Sequence, residues 1–393
     1  MVTRPVKSGL HGRRVQISGS ASQFTDPQLV KYAHEFVSTV TREILREGGG
    51  LVLNVGKEPR PPSTAGIGPS LIFDWTAFEA AANCFRNAGC TWSNLSGPPI
   101  QVVTSEKAVS EIPDHRLPLW HELLDGGFVN VEFIQPGARS AAMMRDRQVQ
   151  LGDILLVLGG GTGVEHSALL YMDRRYPVIP IDLPLGASRE DGTGGSMRLA
   201  AEARNDPSRF FSLQVDFAGT AGGRLAAIST RGGSEDVNII TGKVIALLRI
   251  LSPPIAFYVR LLNPAVTTFS RVEEFFRDVV DNVVEEAGFK HMEIGTNPTE
   301  EPFLNVAIFE NLHFASVAVI DVTSERPSCL IELGYALGRS IKVIMTAEEG
   351  TILPFDSHDI PCFFWKHGID NNARRQALRE FWQRYIDRRP LVG

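Results

Sequence analysis

The 393-residue sequence has no apolar run approaching the ~18 residues that a membrane-spanning helix needs. Its basic start, MVTRPVKSGLHGRR, lacks the apolar segment of a secretory signal. Cysteine is scarce. Cys84, Cys90, Cys329 and Cys362 show no metal-ligand spacing, so reduced thiols and no metal centre are expected. There is no basic excess either: Lys and Arg total 39 against 45 Asp and Glu, a net charge of −6. That balance argues against a general binder of nucleic acid or of membrane surfaces. No internal repeat is visible. These absences point to a cytoplasmic protein with no resident cofactor. What is present suffices for real cores: hydrophobic residues make up 43% of a chain long enough for two or three domains.

The most conspicuous stretch is ILLVLGGGTGVEH, Ile154–His166. An apolar run stops at Gly159, Gly160, Gly161 and Gly163, and residues with helical spacing follow. This reads as a buried strand, a tight loop and a helix N-terminus. Such a loop lets a ligand approach without Cβ clashes, and the helix dipole favours an anion there. Around it, strands and helices alternate. Val15–Ile17 is a strand running into Gly19-Ser20-Ala21-Ser22; Asp26–Glu47 is an amphipathic helix with Asp at its cap and Pro27 at its first position. Leu51–Leu53, Ile100–Thr104, Val129–Ile134 and Val178–Asp182 are further strands. Trp75–Asn87, the arginine-rich Arg139–Gln150 and Asn238–Leu251 are helices.

Ser252-Pro253-Pro254 forbids helix continuation and marks a linker. The α/β rhythm then restarts. Ile255–Leu261, Ala315–Ile320, Ile341–Met345 and Pro361–Trp365 are strands. Ser270–Ala287, Glu301–Asn311, Leu330–Gly338 and Ala373–Ile386 are helices, and Trp365 with the Phe363-Phe364 pair reads as core. The expected class is α/β: two Rossmann-like parallel-sheet domains flanked by helices. The expected boundaries are a flexible leader 1–12, a first domain 13–251 and a second domain 252–393.

The stretch MMRDRQVQLGDILLVLGGGTGVE, with the opening VQISGSAS and the later TGGSMRLAAEA, resembles the SLOG superfamily. That superfamily includes LOG-type nucleotide phosphoribohydrolases and the ligand-sensing domains of bacterial immunity proteins. The resemblance implies phosphate contacts from Ser18, Gly19, Ser20, Gly160, Gly161, Thr162 and Gly163. It implies cationic contacts from Arg139, Arg145 and Arg147, a guanidinium being suited to bidentate phosphate recognition. Glu165 joins this ligand set. LOG enzymes carry a proline where Gly159 stands and a Thr-x-Glu-Glu run where Val164-Glu165-His166 follows, so the resemblance favours sensing over hydrolysis.

In the second domain, ASVAVIDVTSERPSCLIELGYALGRSIKVIM resembles the nucleoside 2-deoxyribosyltransferase superfamily, related in fold to TIR domains. The resemblance implies Glu332 as nucleophile or oxocarbenium stabiliser, and Asp321 as a contact to sugar or leaving base. Tyr258 and Arg260 would share the pocket. A carboxylate beside an anomeric carbon can trap or stabilise positive charge. The transferases usually carry a second Asp where this chain has Arg326-Pro327, which shifts the expectation from base transfer to simple hydrolysis.

Together these resemblances imply a nucleotide-signal-regulated effector of anti-phage type. Its second domain would hydrolyse an N-glycosidic bond in NAD, a nucleotide or a nucleoside. A small nucleotide-derived signal and self-association as a homo-oligomer are the implied partners. The alternatives are a LOG-like nucleoside 5′-monophosphate phosphoribohydrolase and a non-enzymatic nucleotide-sensing scaffold.

Overall fold

A computed structural model describes residues 10, 13–61, 68–87, 90, 97–135, 137, 139–186, 195–211, 215–252, 255–293, 308–309, 311–313, 315–323, 327–339, 341–353 and 360–386; for 215–220 only the backbone is described. The chain divides into two compact units, one within Ser8–Ser252 and one within Pro253–Gly393. Of the expected leader only Leu10 is described, and it is buried in the first unit's core.

The first unit is built on six parallel strands: β1 (Arg14–Ser20), β2 (Gly50–Leu53), β3 (Ile100–Thr104), β4 (Val129–Phe133), β5 (Ile154–Gly159) and β6 (Val178–Ile181). Their order across the sheet is β4-β3-β2-β1-β5-β6. The chain walks outward from β1 to β4, then returns to place β5 on the other side of β1. Strand order therefore reverses between β1 and β5. In open α/β sheets a crevice forms outside the carboxyl ends of the strands at such a reversal.

Burial explains why these segments are strands. β2, β3, β5 and β6 are buried along their whole length, as a parallel sheet covered on both faces demands. Asp153 pins the register of β1 against β5, accepting from the Arg14 N–H at 2.7 Å and from Arg13 at 3.1 Å. Gly19 permits the close approach of these strands: a Cβ there would stand 2.0 Å from the Leu158 carbonyl oxygen.

The covering helices are α1 (Pro27–Arg46), α2 (Asp74–Arg86), α3 (Glu106–Ser110), α4 (Leu117–Asp125), α5 (Ser140–Leu151), α6 (Thr162–Asp173), α7 (Ser196–Asn205), α8 (Pro207–Phe211), α9 (Val215–Ala226) and α10 (Val237–Leu251). Asp26 caps α1 by accepting from the Gln28 N–H at 2.9 Å, with Pro27 in the first turn. Asp236 caps α10 in the same way.

The second unit holds β7 (Ile255–Val259), β8 (Lys290–Met292), β9 (Val317–Asp321), β10 (Lys342–Glu348) and β11 (Cys362–Trp365), ordered β11-β10-β9-β7-β8 and all parallel. This is a doubly wound arrangement with its reversal between β7 and β9. On one face lie α11 (Phe269–Phe275), a π-type turn (Phe276–Val280), α12 (Asp281–Glu286) and α14 (Asn371–Tyr385). On the other lies α13 (Pro327–Gly338).

Three expectations need correction. Cys84 and Cys90 are joined as a disulfide, with Cα atoms 5.9 Å apart, where reduced thiols were expected. Phe364 does not belong to the core: it lies on the edge strand β11 and is 44% exposed, whereas Trp365 is buried. The long helix expected over 270–287 contains the π-type turn, which inserts an extra residue per turn at Phe276–Val280. Most of the helix expected over 301–311 lies outside the described residues.

Candidate ligand and active sites

In the first unit, Ser18, Gly19 and Ser20 end β1 and stand opposite Val157, Leu158 and Gly159 of β5. The glycine loop follows directly. Gly159 and Gly160 adopt positive φ (55° and 74°), and the Gly160 N–H donates to the Ser20 carbonyl at 2.8 Å. Gly161 is the N-cap residue of α6 and supplies no capping side chain, with Thr162 and Gly163 its first two helical residues. The first-turn N–H groups of a helix have no intrahelical acceptor, so α6 presents them at the crevice.

The structure separates the three arginines. Arg145 reaches the loop: its Nη1 would stand 3.5 Å from a Cβ on Gly163, and its Nε donates to His166 Nδ1 at 3.0 Å. Arg147 is turned to the sheet edge, where it pairs with Glu132 at 2.6 Å and bonds Gln150. Arg139 is an exposed residue at the start of α5.

Glu165 faces a segment to which no site role was given. Its Oε1 accepts from the Gly195 N–H at 2.8 Å, and its Oε2 lies 3.6 Å from the Arg198 guanidinium. Ser196 reciprocates, its Oγ accepting from the Gly159 N–H at 2.7 Å. The start of α7 is thus laced to the glycine loop. Gly195 makes this possible, because an added Cβ would lie 2.2 Å from the Gly160 carbonyl oxygen. The motif TGGSMR carried the signal: a glycine and a short hydroxyl side chain before a helix, followed by a cation.

A line of polar groups, buried at Gln16 and Gln148 and half-buried at Asn54 and Asp74, links β1 and α5 to the end of β2 and the start of α2. Gln16 Nε2 donates to Gln148 Oε1 (3.1 Å), Gln148 Nε2 to Asn54 Oδ1 (2.5 Å), and the Asn54 N–H to Asp74 Oδ1 (2.8 Å). Loss of hydration lifts the Asp74 carboxyl from its ordinary 3.8 to about 6, against the opposing effect of its bond from Asn54. A separate cavity of about 250 Å³ lies between the C-terminal halves of α1 and α2, lined by Ser38, Arg42, Arg46, Ala80, Asn83, Cys84 and Asn87. Helices between parallel strands run antiparallel to them, so this cavity is at the opposite end of the sheet from the glycine loop.

In the second unit, Arg260 and Asp321 reach the reversal point, at the ends of β7 and β9. Arg260 pairs with Glu273, and with Glu293 at 2.9 Å, and lies over the Phe276 ring at 5.2 Å. Burial raises the Glu293 carboxyl pKa, with Arg260 opposing the shift. Tyr258 is buried within β7, stacked on His291 at 5.5 Å; burial first, then the charge of Asp281, raises its pKa.

Asp321 is 3% exposed and accepts from three donors: the Thr323 N–H (3.1 Å), Thr346 Oγ1 (2.8 Å) and Trp365 Nε1 (3.0 Å). Burial raises its pKa despite these bonds. Along β9, Val317 and Val319 pack with Trp365 and α14, while Ala318 and Ile320 pack with Cys329, Leu333 and Ala336 of α13. Asp321 therefore shares the Val317–Val319 face. Glu332, half-buried in the second turn of α13, belongs to the helix on the opposite face. Among the described residues, no group of three or more His, Cys, Asp or Glu is placed to hold a metal ion. Among them, too, no helix is long and apolar enough to cross a membrane.

Two doubly wound parallel sheets, one with a glycine loop at its reversal point, define a chain of the doubly wound α/β class. The family model described as ATP nucleosidase Cap17-like, N-terminal, matches residues 10–241, and this chain belongs to that family. The ATP nucleosidase Cap17 of Escherichia coli (strain KTE188) is 29% identical over 198 residues, 50% of this chain and 37% of that protein. A second Escherichia coli protein of the same name matches to the same extent. The chain thus aligns with little more than a third of the length of these relatives. Among solved structures, an S. aureus MnaA–UDP co-structure covers 97% of this chain and 92% of its own, at 11% identity and a TM-score of 0.24, too slight a likeness to carry an argument.

Proposed function

We propose that this chain is an anti-phage effector with a division of labour. The first unit binds a nucleotide-derived signal at the glycine loop, and the second hydrolyses an N-glycosidic bond in NAD or a nucleotide. The observation that carries the first half is the convergence of the β1 end, the uncapped start of α6 and Arg145 on one crevice. Backbone N–H groups and a guanidinium suit a phosphate. The family match, residues 10–241, falls in the unit that holds the crevice.

For the second unit the reading assigns Glu332 to the reacting sugar. The C–N glycosidic bond breaks, the base leaves with the electron pair, and the carboxylate stabilises the positive charge on the sugar. Water then adds at the anomeric carbon and gives up a proton to the departed base or to solvent. Asp321 takes a supporting role here: with its three donors it ties the ends of β9, β10 and β11 together. Arg260, held by Glu273 and Glu293, orders the ends of β7 and β8.

A second reading is favoured by one observation. The family that matches the first unit is named for ATP nucleosidase activity, so glycosidic cleavage there, with Glu165 as the carboxylate, is the rival. The engagement of Glu165 with Gly195 and Arg198 supports the binding role instead. Incubating the full chain with NAD, ATP and nucleosides, in the presence and absence of cyclic nucleotides, tests the activity itself. Mass spectrometry should detect a released base; its absence under every condition leaves the sensing-scaffold reading in place.

A further inference from the structure

The loop between β1 and α1 carries the most exposed large apolar side chain among the described residues: Phe24 is 87% exposed. The loop is nonetheless tightly tied. The Ser22 N–H donates to the Leu185 carbonyl (2.8 Å), the Thr25 N–H to the Ser22 carbonyl (3.0 Å) and the Phe24 N–H to Ser22 Oγ (3.3 Å). The Thr25 hydroxyl also bonds the Leu185 carbonyl. Leu185 in turn abuts the glycine loop, since a Cβ on Gly159 would meet its Cβ at 2.8 Å.

Phe24 therefore stands on the rim of the first crevice. It lies four positions beyond Ser20, whose carbonyl accepts the Gly160 N–H. Four steps of chain reach at most about 14 Å, so Phe24 stands no farther than that from the Ser20 carbonyl that anchors the glycine loop. A flat apolar ring open to water, carried on a loop whose backbone is fixed, suits a planar aromatic partner.

We propose that Phe24 is the stacking platform for the base of a nucleotide whose phosphate lies on the glycine loop. This rests on the reading of the first crevice as a nucleotide site, and it adds that the ligand is recognised through its base as well as its phosphate. Every nucleobase has a π face, so stacking selects base-bearing ligands over bare sugar phosphates without choosing among bases by hydrogen bonds.

Calorimetry on the full chain tests this with ATP, ADP-ribose, cyclic di-AMP and, as the baseless comparator, ribose 5-phosphate. Phe24→Ala should weaken the base-bearing probes that bind by roughly 5- to 150-fold, the range that base–aromatic stacking supplies. It should leave ribose 5-phosphate within about twofold. Phe24→Trp should keep the affinity, and its emission should be quenched by base-bearing probes alone. Unchanged nucleotide affinity in Phe24→Ala, or an equal loss for both probe kinds, overturns the stacking role while the crevice reading stands. A wild-type chain that binds none of the four overturns the crevice reading, and the stacking role with it. Because Phe24 is so exposed, thermal melts of both variants should match the wild type, which separates these outcomes from misfolding.

Discussion

Asp74 sits in an environment that opposes its ionisation. It is a carboxyl at the start of α2, bonded by the Asn54 N–H, with its pKa raised to about 6. A carboxyl raised by folding lowers stability once ionised. Its favourable state is fully present below the unfolded value of 3.8, and is lost as pH rises through about 6. Asp74→Asn keeps an acceptor for the Asn54 N–H and removes the charge. It should stabilise the fold at pH 8 by up to about 3 kcal/mol, the gain shrinking toward zero as pH falls to about 4. Chemical denaturation at both pH values checks this, and a pH-independent difference contradicts it. No motif exposed this residue, because its raised pKa comes from burial in the folded chain, against the bond from Asn54. The same limit applied to the carboxylates that were picked out. The types of Asp321 and Glu165 were legible, but not that three donors enclose the first or that the second faces the Gly195 N–H.

At the scale of elements, the glycine loop is a joint between α6 and α7. Gly195 has φ 68° and ψ −146°, a backbone region that is essentially glycine's alone, and its place against the Gly160 carbonyl leaves no room for a Cβ. Gly195→Ala should cost roughly 2 kcal/mol or more and weaken nucleotide binding at the loop. Gly223→Ala offers the contrast. That glycine lies inside α9 with nothing within 4 Å of an added Cβ, so the change should be neutral or stabilising by up to about 1 kcal/mol. Thermal melts of the pair decide the point, and equal effects would contradict the joint. Strands with unbroken apolar runs, such as β5 and β3, were legible because burial on both faces leaves no alternation to misread. β8 was missed because Lys290-His291-Met292 is an edge strand with little burial, and α4 because LPLWHELLD is short and opens on a proline. The partnership of α7 with the glycine loop was not legible, since Glu165 and Gly195 stand 30 positions apart and no spacing rule joins them.

At the scale of the whole molecule, the α/β rhythm and its restart after Ser252 were legible, because each half repeats the strand–helix alternation of a parallel α/β sheet. What the halves do for one another was not, since regulation resides in equilibria between states. If the first unit is a sensor, its ligand should shift the chain's assembly. Light scattering with and without cyclic di-AMP, ATP or ADP-ribose should show a larger mass with one of them, and unchanged mass with all three contradicts the regulatory account. The most direct test of the division of labour is the release of base from NAD and ATP by the wild type, Glu332→Gln and Glu165→Gln, followed by mass spectrometry. The account predicts a loss of at least about 100-fold for Glu332→Gln, while Glu165→Gln retains cleavage once signal is saturating. Cleavage abolished by Glu165→Gln and untouched by Glu332→Gln would move the chemistry to the glycine loop and contradict the account.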